Sequence, residues 1–261
     1  MNMQKSEPRA NWQQDMLGRF LGELLVVLFL AIWWITALGL PDFVLPGPWP
    51  VAKRLFELLR DPEFLDNALV STVRVVLSVL IACLIGGVLA FIANTLPVCD
   101  GVINERIKPF LNSFPSIGWA ILAAIWFKAG NFGVVFVQVA ILIPFCLINI
   151  DQGFRSIDKE LIEMGRSFTR KPTRIWLRIN LRLLTPFILA AIKISYGIAW
   201  KIALVAELLG APNGLGYLML QAQSTAETVT FLAVCFSIVF IFMLGDRLIL
   251  APLEKRFPVT K

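Results

Sequence analysis

The sequence predicts an all-α membrane protein of about six transmembrane helices, and three observations carry that prediction. Mean hydropathy is +0.75 and 57% of the 261 residues are hydrophobic, which is more apolar surface than one soluble core can remove from water. Six apolar segments reach the roughly 17 to 25 residues that a helix needs to cross the hydrocarbon. The charges collect between these segments, with eight of the 24 Lys and Arg residues in the one stretch from Arg155 to Arg182.

The elements follow in chain order. Met1 to Phe20 is polar and longer than the charged region of a signal peptide, so the apolar run after it reads as an uncleaved first span, Leu24 to Leu40. The connection from Pro41 to Asp66 opens with Leu45-Pro46-Gly47-Pro48-Trp49-Pro50, whose prolines prevent regular structure, and continues in an amphipathic segment from Val51 to Arg60 that suits the membrane interface. Further spans are expected over Ala68–Ala93, Phe110–Phe127, Val134–Ile150, Leu183–Gly210 and Phe231–Ala251. Pro212-Asn213-Gly214-Leu215-Gly216 reads as a turn-rich break between the last two. Pro109, Pro115, Pro144 and Pro186 allow kinks in the spans, and Gly86-Gly87 allows close helix approach. The division is a tail over 1–23, a membrane domain over 24–251 containing a loop at 151–182, and a second tail over 252–261.

Six spans put both ends on one side, and the basic residues select it. With the amino terminus inside, the inner segments hold Lys5, Arg9, Arg19, Arg106, Lys108, the eight residues of the large loop, Arg247, Lys255, Arg256 and Lys261. The outer segments hold only Lys53, Arg54, Arg60 and Lys128. Basic residues accumulate on the cytoplasmic side, so both termini and the large loop are expected there.

Several function classes drop out. The net charge of +6 lies beside hydrophobic segments, which fits orientation against anionic lipid and not nucleic acid. Cys83, Cys99, Cys146 and Cys235 are widely spaced, and no CxxC pair suggests zinc or a disulfide framework. The chain has no histidine, so imidazole catalysis, histidine ligation of a metal and a histidine pH switch are excluded. No GxxxxGK phosphate loop followed by Ser or Thr occurs, so nucleotide has no recognisable site on this chain.

The loop itself has a pattern. Ser156 or Asp158 can cap a helix whose apolar side is Leu161, Ile162 and Met164, and Pro172 interrupts it. Ile175, Trp176 and Ile179 then form the apolar side of a second short helix. Such a pair fits either a lipid surface or a groove in another protein.

At these residues the chain resembles the permease subunits of type I ATP-binding cassette importers, with their MetI-like fold, and in particular the branch serving nitrate, taurine and alkanesulfonates. Glu163-Met164-Gly165 stands where that family has Glu-Ala-Ala, Thr169 where it has glycine, and Ile179-Asn180-Leu181-Arg182 where it has Ile-x-Leu-Pro. Leu45-Pro46-Gly47-Pro48 with Val51, Ser71-Thr72-Val73-Arg74, Trp126-Phe127 with Gly130, Ala199-Trp200, Ala206 to Ala211 and Gly214-Leu215-Gly216-Tyr217 resemble further elements of the family, so the similarity covers Leu45 to Phe257. The resemblance implies a coupling helix that docks on an ATPase, including Glu160, Ile162, Glu163, Met164, Gly165, Arg166, Phe168 and Thr169. It also implies two ABC ATPase subunits holding ATP and Mg, a second permease that is an identical or a related copy, an extracytoplasmic solute-binding protein, and placement in a bacterial inner membrane. No cofactor is expected on this chain and no enzymatic activity of its own.

Four charged residues fall inside expected spans: Arg74 in the second, and Lys193, Lys201 and Glu207 in the fifth. Each costs about 2.5–3.5 kcal/mol near a span centre unless paired or watered, so all four should face the protein interior. Asn67, Ser71, Arg74 and Ser78 share one helical stripe, as do Lys193, Gly197, Trp200, Leu204 and Glu207. Ser71, Arg74, Ser78, Lys193, Trp200, Lys201 and Glu207 are therefore the candidates for a translocation path whose positive excess favours a small anion. Two other readings stand beside this one: Arg74 paired with Glu207 to lock the helices, and Lys193 snorkelling to the membrane edge. At the level of function the alternatives are an energy-independent channel or secondary carrier and an intramembrane enzyme. The first lacks an internal repeat and the second a catalytic constellation.

Overall fold

The computed structural model describes residues 12–128, 130–168 and 171–256. Helix α1 (Trp12–Leu38) begins inside the expected tail, and α2 (Pro48–Leu58) starts on a proline, which is pre-set for a first helical turn. The interfacial segment is thus a true amphipathic helix, with Val51 and Leu58 buried and Trp49 and Phe56 exposed. Helix α3 (Pro62–Thr95) is capped by the Asp61 carboxylate, which accepts the Glu63 N–H at 3.0 Å, and it extends the second span by almost two turns at its start.

The third expected span is not one straight helix. Helices α4 (Pro97–Val102) and α5 (Lys108–Ser113) run on through a π-helical stretch at Ile103–Ile107, and then the chain bends by 82° into α6 (Ser116–Phe127). Phe114 stands before Pro115, which holds it out of the helical region, and both residues are extended, with ψ of 126° and 133°. At 12 residues α6 is about 18 Å long, short of the ~30 Å hydrocarbon. Continuous hydropathy had concealed the break.

Helix α7 (Asn131–Arg155) follows. Its partner is α3, and the register between them is readable from two hydrogen bonds: Arg74 to Asn131 and Asn94 to Asp151 each join residues 57 apart. The two helices are therefore parallel. The chain between them must return the full depth of the bundle, so the bent segment 97–127 serves as a broken sixth crossing beside five continuous ones.

After α7 come α8 (Lys159–Phe168) and α9 (Pro172–Ile175). The second loop helix does not stop where the sequence suggested. Helix α9 passes through a π-helical stretch at Trp176–Asn180 into α10 (Leu181–Gly210), making one run from Thr173 to Gly210. No breaker interrupts it before Pro186, and a proline inside a membrane helix is tolerated where neighbouring helices and Ser or Thr side chains satisfy the freed carbonyls. Helices α11 (Leu215–Ser224), α12 (Thr228–Gly245) and α13 (Ala251–Arg256) complete the described chain. Trp33 Nε1 donates to the Pro46 carbonyl at 3.0 Å and the Thr228 hydroxyl to the Phe43 carbonyl at 2.6 Å. These contacts place the end of α1 and the start of α12 together, opposite the α8–α9 elbow, so Trp12 and Arg256 lie on the elbow side.

Helices α3, α7 and α10 form the core, with Val75, Ala82, Leu142 and Ala199 wholly buried. Helix α10 packs through a stripe of small residues, Ala191, Ser195, Ala199, Ala203 and Ala206, which brings its backbone close to its neighbours. Helix α3 does the same at Gly86, where an added Cβ would lie 2.8 Å from Cys146 Cβ and 2.9 Å from the Leu147 nitrogen.

Candidate functional site

At the end of the bundle opposite the elbow, three of the residues expected to share a path come together in one buried network. Arg74 Nη1 donates to Glu207 Oε1 at 2.7 Å, and the two side chains are 4% and 0% exposed. The Ser71 hydroxyl, 2.8 Å from both Glu207 oxygens, donates to the carboxylate and accepts the Leu215 N–H at 2.8 Å. Glu207 Oε2 also accepts the Gly216 N–H at 2.9 Å, and the Gly214 N–H reaches Asn67 Oδ1 at 2.6 Å. The rest of the guanidinium is taken by Asn131 Oδ1, by the Asn213 carbonyl at 2.9 Å and by Asn213 Oδ1. Every strong donor of Arg74 thus has an acceptor, which is what a charge held in hydrocarbon requires.

The network also fixes the turn between α10 and α11. Gly214 has φ of +110°, a conformation open to glycine, and a side chain there would fall 2.6 Å from the Glu207 carboxylate. The turn is folded onto the ion pair as a plug. Asn131 and Asn213 were missed as Arg74 partners, because nothing in the spacing of the chain connects a residue to others 57 and 139 positions away.

The lysines lie elsewhere. Lys193 and Lys201 are exposed on the protomer, contrary to the expectation that all four membrane charges face inward. The reason is the small-residue stripe, which commits the opposite face of α10 to the core. Lys193, Gly197, Trp200, Lys201 and Leu204 instead line a groove of about 590 Å³ against Cys235, Ile238, Val239 and Phe242 of α12. Trp200 is 3% exposed, and its indole N–H has no hydrogen-bond partner among the described residues. Ser78 stays on the buried face of α3, one turn from Arg74, also without a partner for its hydroxyl among the described residues. Gln138 of α7, which no spacing or motif singled out, is wholly buried with both amide atoms in the same condition.

The elbow is the third candidate site. Gly165 of α8 is buried, and a Cβ added there would lie 2.4 Å from Ile179 Cδ1, so the departure from the expected alanine falls where the two arms of the elbow cross. Ile162 is half-buried on the same side of α8. The other side presents Leu161, Met164 and Phe168, at spacings of three and four, with exposures of 38%, 54% and 85%. Glu160, Glu163 and Arg166 are exposed around this stripe. Thr169, the remaining residue expected in this helix, lies outside the described residues.

Arg155 ties the end of α7 to α4. Its guanidinium bridges Asp151 of α7 at 2.9 Å and Asp100 of α4 at 2.8 Å, and Asn94 of α3 donates to Asp151 at 2.7 Å. Its spacing marked Arg155 only as one charge among the eight of the large loop.

Comparison with known proteins sets this geometry in a family. The family model described as binding-protein-dependent transport system inner membrane component matches residues 103–252, more than half of the chain. The taurine transport system permease protein TauC of Escherichia coli K12 is 26% identical over 234 residues, covering 85% of this chain and 84% of that protein. The nitrate import permease protein NrtB of Synechococcus elongatus is 26% identical over 239 residues, with the same shares covered. The putative aliphatic sulfonates transport permease protein SsuC of Bacillus subtilis is 27% identical over 214 residues, 81% of this chain and 77% of that protein. Among solved structures, an inward-facing MetNI methionine ABC transporter chain superposes with a TM-score of 0.57 at 18% identity, over 72% of this chain and 95% of that one, which shows a shared fold. A broken third crossing, a helical elbow and a matching family model together place this chain among the inner-membrane permease components of binding-protein-dependent ABC importers.

Proposed function

We propose that this permease forms the translocation path for a small anion such as nitrate, taurine or a sulfonate, opened and closed by alternating access. It works with two ATPases that hold ATP and Mg, a second permease subunit and an extracytoplasmic binding protein. In this reading the elbow and both termini are cytoplasmic, in keeping with the basic residues along 155–182.

The observation that carries the ATP-driven part is the apolar stripe Leu161–Met164–Phe168, displayed on a helix outside the bundle whose other face is already occupied by Ile175 and Ile179. An exposed aromatic beside a methionine is the kind of anchor that fills a hydrophobic groove. Phe168→Asp should weaken retention of the ATPase about thirtyfold, the equivalent of a ~2 kcal/mol hot spot. The same variant should unfold at the wild-type temperature, because an exposed side chain holds nothing in the fold. Co-purification from detergent with titrated ATPase measures both, and undiminished retention would rule this docking surface out.

The anion preference rests on the named cargo of the relatives and on two lysines sharing one groove of α10. Lysines exposed at membrane depth are costly against lipid, so this face suits a watered cavity closed by the second permease subunit. Lys201 makes no hydrogen bond or ion pair among the described residues, which leaves its charge available to cargo. Lys201→Glu should slow anion uptake into vesicles about tenfold, ~1.4 kcal/mol on the barrier, with ATPase retention unchanged. Uptake at the wild-type rate would take Lys201 out of the path. Uptake by the chain without any ATPase would favour a carrier instead.

A further inference from the structure

Two of the four cysteines that looked scattered in the sequence meet in the middle of the bundle. Cys83 Sγ of α3 and Cys146 Sγ of α7 are 3.1 Å apart, and Cys146 Sγ is 3.1 Å from the Ser195 hydroxyl of α10. The cause is Gly86, one turn along α3, where the two helices approach so closely that a Cβ would collide with Cys146 and with the Leu147 backbone. Sulfurs already in contact have only about 1 Å to travel to form a bond of ~2.05 Å.

Their surroundings differ. Cys146 is wholly buried. Cys83 is half-buried and lines a second, apolar groove of about 500 Å³, whose other walls include Leu84, Val88, Phe91, Trp176 and Leu184. That groove admits an apolar molecule from the bilayer to one sulfur of the pair and excludes it from the other.

We propose that Cys83 and Cys146 form an oxidative modification site for organic hydroperoxides, a lipid hydroperoxide being the chemical class that partitions into such a groove. The Cys83 sulfur attacks the terminal oxygen of the hydroperoxide and breaks the O–O bond, giving a sulfenic acid at Cys83 and releasing the alcohol, which keeps the thiol proton. Cys146 then attacks the Cys83 sulfur, the S–O bond breaks, and the hydroxyl leaves as water with the Cys146 proton. The net change is two thiols and one hydroperoxide to one disulfide, one alcohol and one water. Cys99 and Cys235 have no second thiol in contact among the described residues, so oxidation there cannot close in this way.

The test treats the full chain in lipid vesicles with cumene hydroperoxide and, separately, with hydrogen peroxide, followed by alkylation and peptide mass spectrometry. The expected result is a disulfide-linked pair of peptides carrying Cys83 and Cys146 within one chain, formed at least tenfold faster with the apolar peroxide, while Cys99 and Cys235 remain alkylatable. Cys146→Ser should halt the reaction at a Cys83 sulfenic acid that a 1,3-dione probe traps, and Cys83→Ser should leave Cys146 reduced. Absence of the linked peptides in the unmodified chain overturns the proposal, as does oxidation at Cys99 or Cys235 keeping pace with Cys83 or a faster reaction with the polar peroxide. The unmodified chain alone decides these points, so the outcome does not depend on how the serine variants fold.

Discussion

Glu207→Ala is expected to cost about 3–5 kcal/mol of stability, the toll of leaving a buried guanidinium without its counter-charge. The same loss strands the Ser71 hydroxyl and the Gly216 N–H, both of which give their hydrogen bonds to this carboxylate. Arg74→Ala should cost a similar amount, because it leaves the carboxylate, 0% exposed, against Ser71 and one backbone N–H. The double variant should lose clearly less than the two single losses added together, since each single change includes the penalty of an orphaned charge that the pair of changes removes. Thermal unfolding in detergent of the four proteins completes the cycle. Losses that are small and additive would mean that the pair does not hold the plug turn in place.

Gly86→Ala is expected to destabilise by about 1–3 kcal/mol, although on an exposed helix the same change would help by roughly 1 kcal/mol. The obstacles are Cys146 Cβ at 2.8 Å, the Leu147 nitrogen at 2.9 Å and the Ile143 carbonyl oxygen at 3.1 Å, none of which a rotamer change can move. Helices α3 and α7 must separate instead, and with them the most extensive packing in the bundle. Gly87→Ala is the internal control. Its Cβ would meet only Ile150 Cδ1 at 3.5 Å, an ordinary contact, so that variant should be neutral or slightly stabilised. Equal unfolding temperatures for the two variants would show that the helices are not locked at Gly86.

Much of the fold was legible because a bilayer enforces simple rules. Long apolar runs had to be helices, and a charge inside one had to find a partner, so the stripe of Ser71, Arg74 and Ser78 on α3 could be read directly from spacings of three and four. That Glu207 was the partner was one of two open readings, and the geometry brings the pair together. What escaped were features set by direction. Hydropathy sums do not register an 82° bend, so Pro115 appeared as a kink and not as the end of a helix. Nor do they say which side of α10 meets the core. The signal was present in the alternation of Ala191, Ser195, Ala199, Ala203 and Ala206, and it turns Lys193 and Lys201 away from the interior. Gly165, which stands where the family resemblance implies an alanine, is the crossing point of the elbow.

The unbroken run from Thr173 to Gly210 joins the elbow to the buried carboxylate in a single rod. Thirty-eight residues of helix make a lever about 57 Å long, and one such rod, tilted by ten degrees about its foot, sweeps its tip through roughly 10 Å. In the ATP-driven reading proposed above, a ten-degree tilt that displaces Ile179 by about 1.6 Å carries Glu207 through about 9 Å.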